Sequence, residues 1–529
     1  MAADRRTSRA DRPDTEVAII GAGLSGLGMG IALRRAGWDD FVLLERAGDI
    51  GGTWRDNTYP GVGVDVPAQA YQFSFALNPD WSRVFAPGAE VKAYLDRLAD
   101  RYDLRRHVRC GTEIVERAWD ADARLWRLAI AGGGEVTARF VVSAIGPFVD
   151  PKPVDIPGVG TFTGTVLHSA RWDDACDLTG KRVAVVGTGA SAVQLVPKLA
   201  ARAARLDVYQ RTPIWVAPKP DLTIPPALMR LYRRAPRVQD AVRRAATRGV
   251  ELMLIDAVVH HGRAPYLTRG AARLLRALWY RWQIRDRETR RALTPRYGLG
   301  CKRPSVSNTY LRTFNRPNVS LVTDTIERIT PDGVRTVDGR ERTVDALVLA
   351  TGFRLASDPE NFRRTPVRGR DGFDLATAYT DHRLASYEGV SIPGLPNHFM
   401  MFGPYGWVGG TWHQLVETTS AHVVRVLEEA RRRGADVVEV RPGPTEQWTA
   451  RMRDRLAGSL WSAPDCAAAN SYYFDHHGDT PYLRPTSSAQ ARRASTTFPL
   501  DDYAYSAPDA PAVSGDVPGA RPERAERTA

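Results

Sequence analysis

The sequence lacks several features that would have identified its class at once. It has only four cysteines in 529 residues, Cys110, Cys176, Cys301 and Cys466, with no CxxC pair. This spacing argues against a disulfide framework, a structural zinc site and a dithiol reductase, so we expect reduced thiols and no metal. No apolar run approaches the roughly 18 residues that span a bilayer. The N-terminus has no secretory signal pattern, and we expect a cytoplasmic protein without a transmembrane segment.

Charge of one sign is not gathered into a long block either. The net charge is +13, but the cationic residues are mostly arginines interleaved with acids, which favours a solvated surface and no nucleic-acid partner. The exception runs from about Arg230 to Arg291, where apolar residues recur at helical spacing with arginines on the other face. Such a segment can lie on a membrane or pack as a helical subdomain. The many apolar residues favour the subdomain and argue against peripheral membrane contact.

Two glycine-rich motifs dominate what is present. Residues 16–37, EVAIIGAGLSGLGMGIALRRAG, and residues 181–203, KRVAVVGTGASAVQLVPKLAARA, each read as strand, tight turn and helix. The first glycine of such a motif makes the turn, the second admits a pyrophosphate, and the third position must be small for helix and strand to pack. Two copies predict two dinucleotides, held by Gly21, Gly23, Ser25 and Gly26 in the first motif and by Gly187, Thr188, Gly189, Ala190, Ser191 and Ala192 in the second.

The charges that follow the two motifs are opposite. Glu45 lies 19 residues after Gly26, and Arg211 lies 19 residues after Ala192. A carboxylate suits the hydroxyls of a bare ribose, whereas a guanidinium suits a 2′-phosphate. The first site therefore predicts FAD or NAD and the second NADP, with Gln210 and Thr212 beside Arg211.

The order of these units predicts an α/β fold with two Rossmann-like dinucleotide-binding domains and a helical insertion in the second. We expect a discontinuous FAD domain, an NADP domain, a helical subdomain within it and disordered tails. Their bounds are 15–148 with 385–500, 152–384, about 223–295, and 1–14 with 506–529.

Residues 161–174, TFTGTVLHSARWDD, lie where the two domains should meet. Alone, His168 and Trp172 would more often be packing residues. With the two nucleotide motifs, however, FxGxxxHxxxW followed by Asp resembles the signature of Baeyer-Villiger monooxygenases. In that family the histidine and tryptophan are thought to link domain movement to cofactor position. The signature residues are Phe162, Gly164, His168, Trp172 and Asp173.

Three further stretches resemble the same family. GGTW, YPGVGVDVPAQAY and YGLGCKRPSVSNTYL stand at 51–54, 59–71 and 297–311. The resemblance implies an Arg303 and Asp65 catalytic pair, a Lys302 near the NADP phosphate, and flavin contacts from Gly52, Thr53, Trp54, Asp65 and Tyr71. The chain departs from the family in WRDNTYPG, before the flavin segment, and in residues 401–414.

The resemblance implies that NADPH reduces FAD, that O2 forms a C4a-peroxyflavin, and that this species converts a ketone to an ester or lactone. Arg303 would stabilise the peroxy anion as a fixed cation. A flavin-containing monooxygenase acting on amines or sulfides is the main alternative, and it would not need the Arg303 and Asp65 pair. A reductase lacking the signature and a non-catalytic dinucleotide sensor are the others.

Overall fold

The structure is a computed structural model and describes residues 12–507. Its strands, in chain order, are β1 (Thr15–Ile20), β2 (Phe41–Leu44), β3 (Val108–Arg109), β4 (Ile114–Asp120), β5 (Leu125–Ile130), β6 (Glu135–Ser143), β7 (Thr165–His168), β8 (Arg182–Val186), β9 (Arg205–Tyr209), β10 (Val216–Ala217), β11 (Ser305–Val306), β12 (Val319–Val322), β13 (Ile326–Thr330), β14 (Gly333–Thr336), β15 (Glu341–Thr343), β16 (Ala346–Leu349), β17 (Val367–Arg368), β18 (His398–Met400), β19 (Val437–Val440) and β20 (Tyr503–Ser506).

The α-helices, in chain order, are α1 (Leu24–Arg35), α2 (Thr53–Asp56), α3 (Gly88–Arg101), α4 (Ala190–Leu199), α5 (Pro226–Arg234), α6 (Pro236–Glu251), α7 (Pro265–Leu274), α8 (Arg281–Gln283), α9 (Arg287–Leu293), α10 (Tyr310–Thr313), α11 (Pro359–Arg364), α12 (Leu375–Asp381), α13 (Trp412–Arg433), α14 (Pro442–Leu456) and α15 (Ser488–Thr497). Two π-helical segments, Leu252–Val259 and Leu275–Tyr280, continue α6 and α7.

Two sheets organise the chain. The first has the strand order β17-β4-β5-β6-β1-β2-β3, with β18 also paired to β6. Its centre is parallel, and β4, β5 and β6 form an antiparallel part. The second sheet is parallel throughout, in the order β12-β9-β8-β16-β7. Each sheet has its glycine-rich motif after a central strand, β1 or β8, so the predicted α/β fold with two Rossmann-like units is confirmed.

Sequence explains why the central strands form where they do. β1 and β16 read TEVAII and ALVL and are almost entirely buried, as expected for parallel strands covered on both faces. α1 packs closely against α13 because a Cβ at Gly28 would lie only 2.3 Å from Val416 Cγ1. Helices α5 to α9 are inserted between β10 and β11, within the stretch for which helices were predicted.

The expectation of reduced thiols is wrong for two of the four cysteines. Cys301 and Cys466 form a disulfide, with their Cα atoms 5.0 Å apart and 165 residues between them in sequence. Wide spacing gave no sign of this pairing because tertiary folding brings the two segments together. Cys110 and Cys176 are free.

Within residues 12–507, no helix combines the length and the apolar character needed to cross a membrane. Residues 1–11 and 508–529, which hold most of the two predicted tails, lie outside the described residues. Ser506, where the second tail was predicted to begin, is still part of β20 and pairs with Val437.

Candidate active site

The first glycine-rich turn connects β1 to α1. Gly21 has φ +102°, a left-handed conformation that favours glycine. A Cβ at Gly26 would lie 1.9 Å from the Gly21 carbonyl oxygen, so only glycine lets the helix begin this close to the strand. α1 starts directly after Gly23, and Ser25 accepts a 2.8 Å hydrogen bond on Oγ from Trp412 Nε1. The turn and the positive end of the helix suit a pyrophosphate.

Glu45 is buried at the end of β2, beside the same turn. Its carboxylate accepts hydrogen bonds from the backbone N–H groups of Ala22, at 2.9 Å, and Ala47, at 3.0 Å. Arg55 Nη1 donates a third bond at 3.1 Å. The carboxylate therefore lies where an adenosine ribose would follow the pyrophosphate. Sequence reasoning missed Arg55, which belongs to the stretch that departs from the family pattern.

The predicted flavin loop folds back onto this turn. Gly52 has φ +51°, and a Cβ there would lie 3.0 Å from the Gly23 Cα. Thr53 begins α2, and Trp54 Nε1 donates a 3.2 Å hydrogen bond to the Tyr71 hydroxyl. Burial raises the pKa of Tyr71 above its usual range, so the phenol stays protonated. The structure thus brings the first motif, Gly52, Trp54 and Tyr71 into one region.

The second glycine-rich turn repeats the first between β8 and α4. Gly187 has φ +114°, and a Cβ there would lie 2.4 Å from the Ala350 carbonyl oxygen. Thr188 Oγ1 donates a 2.9 Å bond to the Thr212 carbonyl. α4 begins at Ala190, directly after Gly189, and carries Ser191 and the buried Ala192. A Cβ at Gly189 would touch nothing, so the space in front of this turn is free for a phosphate.

Two cations lie near the second turn. Arg211 is exposed beyond β9, and the Asn470 side-chain oxygen accepts hydrogen bonds from its guanidinium. Burial, and then the nearby charge of Arg211, lowers the pKa of Lys302. Two neighbouring cations that disfavour each other's charge would be relieved by an anion, which fits a 2′-phosphate. Gln210, by contrast, donates its Nε2 to the Ala292 carbonyl at 2.8 Å and holds the helical insertion.

The two nucleotide motifs meet across residues 59–63. The Tyr59 hydroxyl donates a 2.8 Å hydrogen bond to Gln194 Oε1 on α4, and Gln194 Nε2 donates a 2.9 Å bond to the Gly63 carbonyl. Gly61 has φ +92°, and a Cβ there would lie 2.7 Å from the Gln194 carbonyl. The segment between the predicted flavin contacts is therefore packed against the NADP-side helix, and we call this contact the seam.

Arg303 and Asp65 form a two-point ion pair at the seam. Arg303 Nε and Nη2 donate to Asp65 Oδ2 and Oδ1, each at 2.8 Å, and the guanidinium lies 5.5 Å from the Trp407 ring centre. Burial alone would lower the pKa of Arg303, but Asp65 and then two tyrosine hydroxyls outweigh it and hold that pKa well above its usual range. The two side chains remain 27% and 34% exposed, so a permanent cation faces an open space.

The signature residues have mainly structural contacts. Phe162 packs in the small core of the second unit, and Gly164 lets the chain pass the Asp345 carbonyl, 2.5 Å from where a Cβ would be. His168 ends β7, where its Nε2 lies 3.3 Å from Thr351 Oγ1 and its Nδ1 accepts from the Ala170 N–H at 3.0 Å. Burial, and then Arg171, lowers the pKa of His168, which favours the neutral ring.

The last two signature residues lie in the turn that follows. Trp172 packs against the main core while partly exposed, and Asp173 accepts from the Ala175 N–H at 3.0 Å. These contacts explain the conformation of the segment. Its role in linking the cofactors stays a prediction.

Sequence reasoning missed an aromatic group beside Arg303. Tyr472 and Tyr473 are packed with ring centres 4.7 Å apart, and Tyr472 reaches Phe148 at 6.2 Å. Tyr473 is buried, and its hydroxyl has no hydrogen-bond partner among the described residues. No motif spacing marks these tyrosines, whereas Trp407 falls in the 401–414 run that could not be interpreted from the sequence.

Comparison with known proteins agrees with this geometry. The Pyridine nucleotide-disulphide oxidoreductase family matches residues 18–246. A "Baeyer-Villiger monooxygenase" of Streptomyces coelicolor is 38% identical over 94% of this chain and 94% of its own length. Another protein of that name, from Pseudomonas aeruginosa, is 40% identical over 85% of this chain and 84% of its own. The crystal structure of OTEMO with FAD and NADP has a TM-score of 0.80 at 26% identity, covering 92% of this chain and 97% of that chain.

Proposed function

The chain belongs to the Baeyer-Villiger monooxygenases, FAD- and NADPH-dependent enzymes that use O2 to convert a ketone to an ester or lactone, and we propose that Arg303 and Asp65 are the catalytic pair. The observation that carries this proposal is the two-point ion pair at the seam. It places the permanent cation between the two glycine-rich turns. The substrates are a small-molecule ketone and O2.

The geometry of the pair explains why an arginine suits this position. Asp65 engages Nε and Nη2, and no hydrogen bond within residues 12–507 engages Nη1. The guanidinium is thus held in one orientation while a donor remains for a ligand. A fixed cation in a partly dry site stabilises negative charge on oxygen without having to reorganise, which is the main way such groups accelerate a reaction.

The residues around the two turns fit the two cofactors. We propose that the first turn, Glu45, Gly52, Trp54 and Tyr71 hold FAD. The buried carboxylate and the two close glycine approaches leave no room for a larger side chain there. When bound and reduced, FAD supplies the activation of O2.

We propose that the second turn, Arg211 and Lys302 hold NADPH. The free space before Gly189 suits a pyrophosphate, and the two cations suit a 2′-phosphate. Gln210 supports this site indirectly, through its bond to the helical insertion. None of these observations favours the oxidation of amines or sulfides.

The proposal is tested by separating flavin reduction from ester formation in Arg303→Ala. We expect the FAD-loaded variant to be reduced by NADPH, because Arg303 lies apart from both turns. Ester formation should fall on the order of a hundred- to a thousandfold, as when one preorganised charge is removed elsewhere. The NADPH consumed should instead yield hydrogen peroxide. Stopped-flow absorbance measures reduction, and mass spectrometry measures the ester.

Two further variants make the result specific. Arg182→Ala removes an arginine that also forms a two-point pair, with Asp345, but at the far side of the second sheet, and it should leave ester formation unchanged. Arg303→Lys keeps the charge without the two-point geometry and should be intermediate. Ester formation by Arg303→Ala at the wild-type rate would exclude the catalytic role.

A further inference from the structure

Most of the net charge of the chain resides in the helical insertion. Residues 226–291 contain sixteen arginines and no lysine against five acidic residues, a net charge of +11, while the whole chain carries +13. The rest of the protein is close to neutral. The insertion is therefore a local cationic body, and the interleaving seen along the sequence does not hold within it.

The same insertion exposes an unusual number of large apolar side chains. Within residues 12–507, fourteen large hydrophobic residues are exposed, and eleven of them lie between 222 and 282. They are Leu222, Leu231, Val238, Val242, Leu252, Met253, Tyr266, Leu267, Leu274, Leu278 and Trp282. The sequence led us to expect that these residues would be used in packing the subdomain. Exposure of this extent usually marks a binding surface.

The first long helix arranges these residues in two neighbouring stripes. In α6 and its π-helical continuation, Val238, Val242 and Leu252 recur at intervals that return to one side of a helix. Arg237, Arg244 and Arg248 follow the adjacent side, and all three are exposed. The opposite side is buried in the protein through Leu254, Ile255 and Val258, so the outward side is free.

The second long helix repeats this arrangement. In α7, its π-helical continuation and α8, Leu267, Leu274, Leu278 and Trp282 follow one exposed side, with exposures between 44% and 68%. Arg269 and Arg273 lie beside them, and neither forms an ion pair with a carboxylate of the described residues. Thr268, Ala272 and Tyr280 face the interior.

We propose that this surface binds an anionic lipid bilayer, with its apolar side chains at the acyl boundary and its arginines at the headgroups. We call it the outer face and define it by Val238, Val242, Leu252, Met253, Leu267, Leu274, Leu278 and Trp282 with Arg237, Arg244, Arg248, Arg269 and Arg273. Helices with one apolar and one cationic side bind in this way, and tryptophan is favoured at the interface.

Charge and chemistry favour a bilayer over other occupants. Two copies of the outer face would bring together two bodies of net charge +11, which repel each other. A nucleic acid would use the arginines but would leave the exposed aliphatic side chains in water. An anionic bilayer satisfies both stripes at once, because long arginine side chains reach the headgroups while apolar neighbours are buried.

The test uses the FAD-loaded enzyme and vesicle sedimentation. We expect binding to vesicles of phosphatidylcholine with about 30% phosphatidylglycerol, weakening as salt rises, and much weaker binding to phosphatidylcholine alone. Arg269→Glu with Arg273→Glu should lower the affinity by at least about thirtyfold. Leu274→Ser with Leu278→Ser should also weaken binding, although it leaves the charge unchanged.

A control pair lies outside the insertion. Arg335→Glu with Val337→Ser changes one exposed arginine and one valine that is 62% exposed, and it should bind like the wild type. Ester formation from a small ketone without vesicles should be unchanged in every variant, which shows that each is folded.

Three results would overturn the proposal. The wild type could fail to bind anionic vesicles at about 0.1 M salt, where screening is moderate. The two outer-face variants could bind as tightly as the wild type. Light scattering could show a dimer that both variants convert to monomer, or duplex DNA could bind tightly and lose affinity only in the arginine variant; these outcomes would assign the face to a second copy or to a nucleic acid.

Discussion

Among single side chains, the polar ones at the seam are each held by a partner from a distant part of the sequence. Arg303 is 238 residues from Asp65, and Gln194 is 135 residues from Tyr59. These contacts form only when both nucleotide-binding units are folded and in place. The orientation of the Arg303 guanidinium is therefore already set by the protein, which is the condition for a charge to stabilise a reaction effectively.

Arg211 should decide between NADPH and NADH. Arg211→Ala removes the exposed guanidinium proposed to meet the 2′-phosphate, so the preference for NADPH over NADH in kcat/KM should fall roughly tenfold to a hundredfold. FAD should stay bound, because Arg211 belongs to the second unit. Steady-state oxidation of both nucleotides measures the preference.

A matched variant tests whether position or charge matters. Arg202→Ala removes an exposed arginine before the other end of β9 and should keep the wild-type preference. An Arg211→Ala enzyme with an unchanged preference would exclude this residue from the nucleotide site and leave Lys302 as the phosphate partner.

The two turn elements show the same design with separable functions. Gly21 and Gly187 have φ values of +102° and +114°, and each turn is crossed closely by a returning carbonyl, from Ala144 and Ala350. These glycines are needed for the fold of the turn. Gly189 differs, because a Cβ there would meet no protein atom and would face only the space proposed for the phosphate.

Substitution by alanine should therefore separate stability from binding. Gly187→Ala should destabilise the protein by about 1–3 kcal/mol through its strained backbone and the contact with Ala350. Gly189→Ala should unfold like the wild type yet raise the KM for NADPH at least about tenfold, because the methyl group keeps the pyrophosphate from the amides. Urea unfolding and steady-state kinetics measure the two effects. An unaltered KM in Gly189→Ala would contradict the proposed position of NADP.

Across the folded chain, three buried histidines should make the protein sensitive to acid. Burial lowers the pKa of His398, His413 and His422 to about 3 from their ordinary value of 6.5. The unfolded chain then binds more protons than the folded one between these values, so stability is lost as pH falls from about 6.5 towards 3. Each histidine contributes a slope of at most about 1.4 kcal/mol per pH unit.

His398 is suited to test this because it lies away from both turns. It is in β18, packed near Trp126, with burial and then Arg117 lowering its pKa. In His398→Leu, the unfolding free energy should fall less steeply on acidification, by up to about 1.4 kcal/mol per pH unit below pH 6. Urea unfolding at a series of pH values gives this slope. A slope equal to that of the wild type would show that His398 is charged in the folded protein.

Local chemistry determined the parts that could be predicted from the sequence. A strand, a glycine turn and a helix form within about thirty residues, so Gly21 and Gly187 could be placed without knowledge of the fold. The same is true of the opposite charges of Glu45 and Arg211, which end neighbouring strands of two similar units. The matches around Asp65 and Arg303 named both residues, although each depends on the other for its position.

Long-range packing decided the rest. The disulfide between Cys301 and Cys466 joins segments 165 residues apart, and the buried hydroxyl of Tyr473 lies beside a loop far from it in sequence. Helical periodicity could show that the insertion has an apolar side, but only the tertiary structure shows that the protein buries one side of α6 and leaves Val238, Val242 and Leu252 exposed. Spacing along a chain records which residues share a side of a helix, and only the surrounding contacts determine which side meets water.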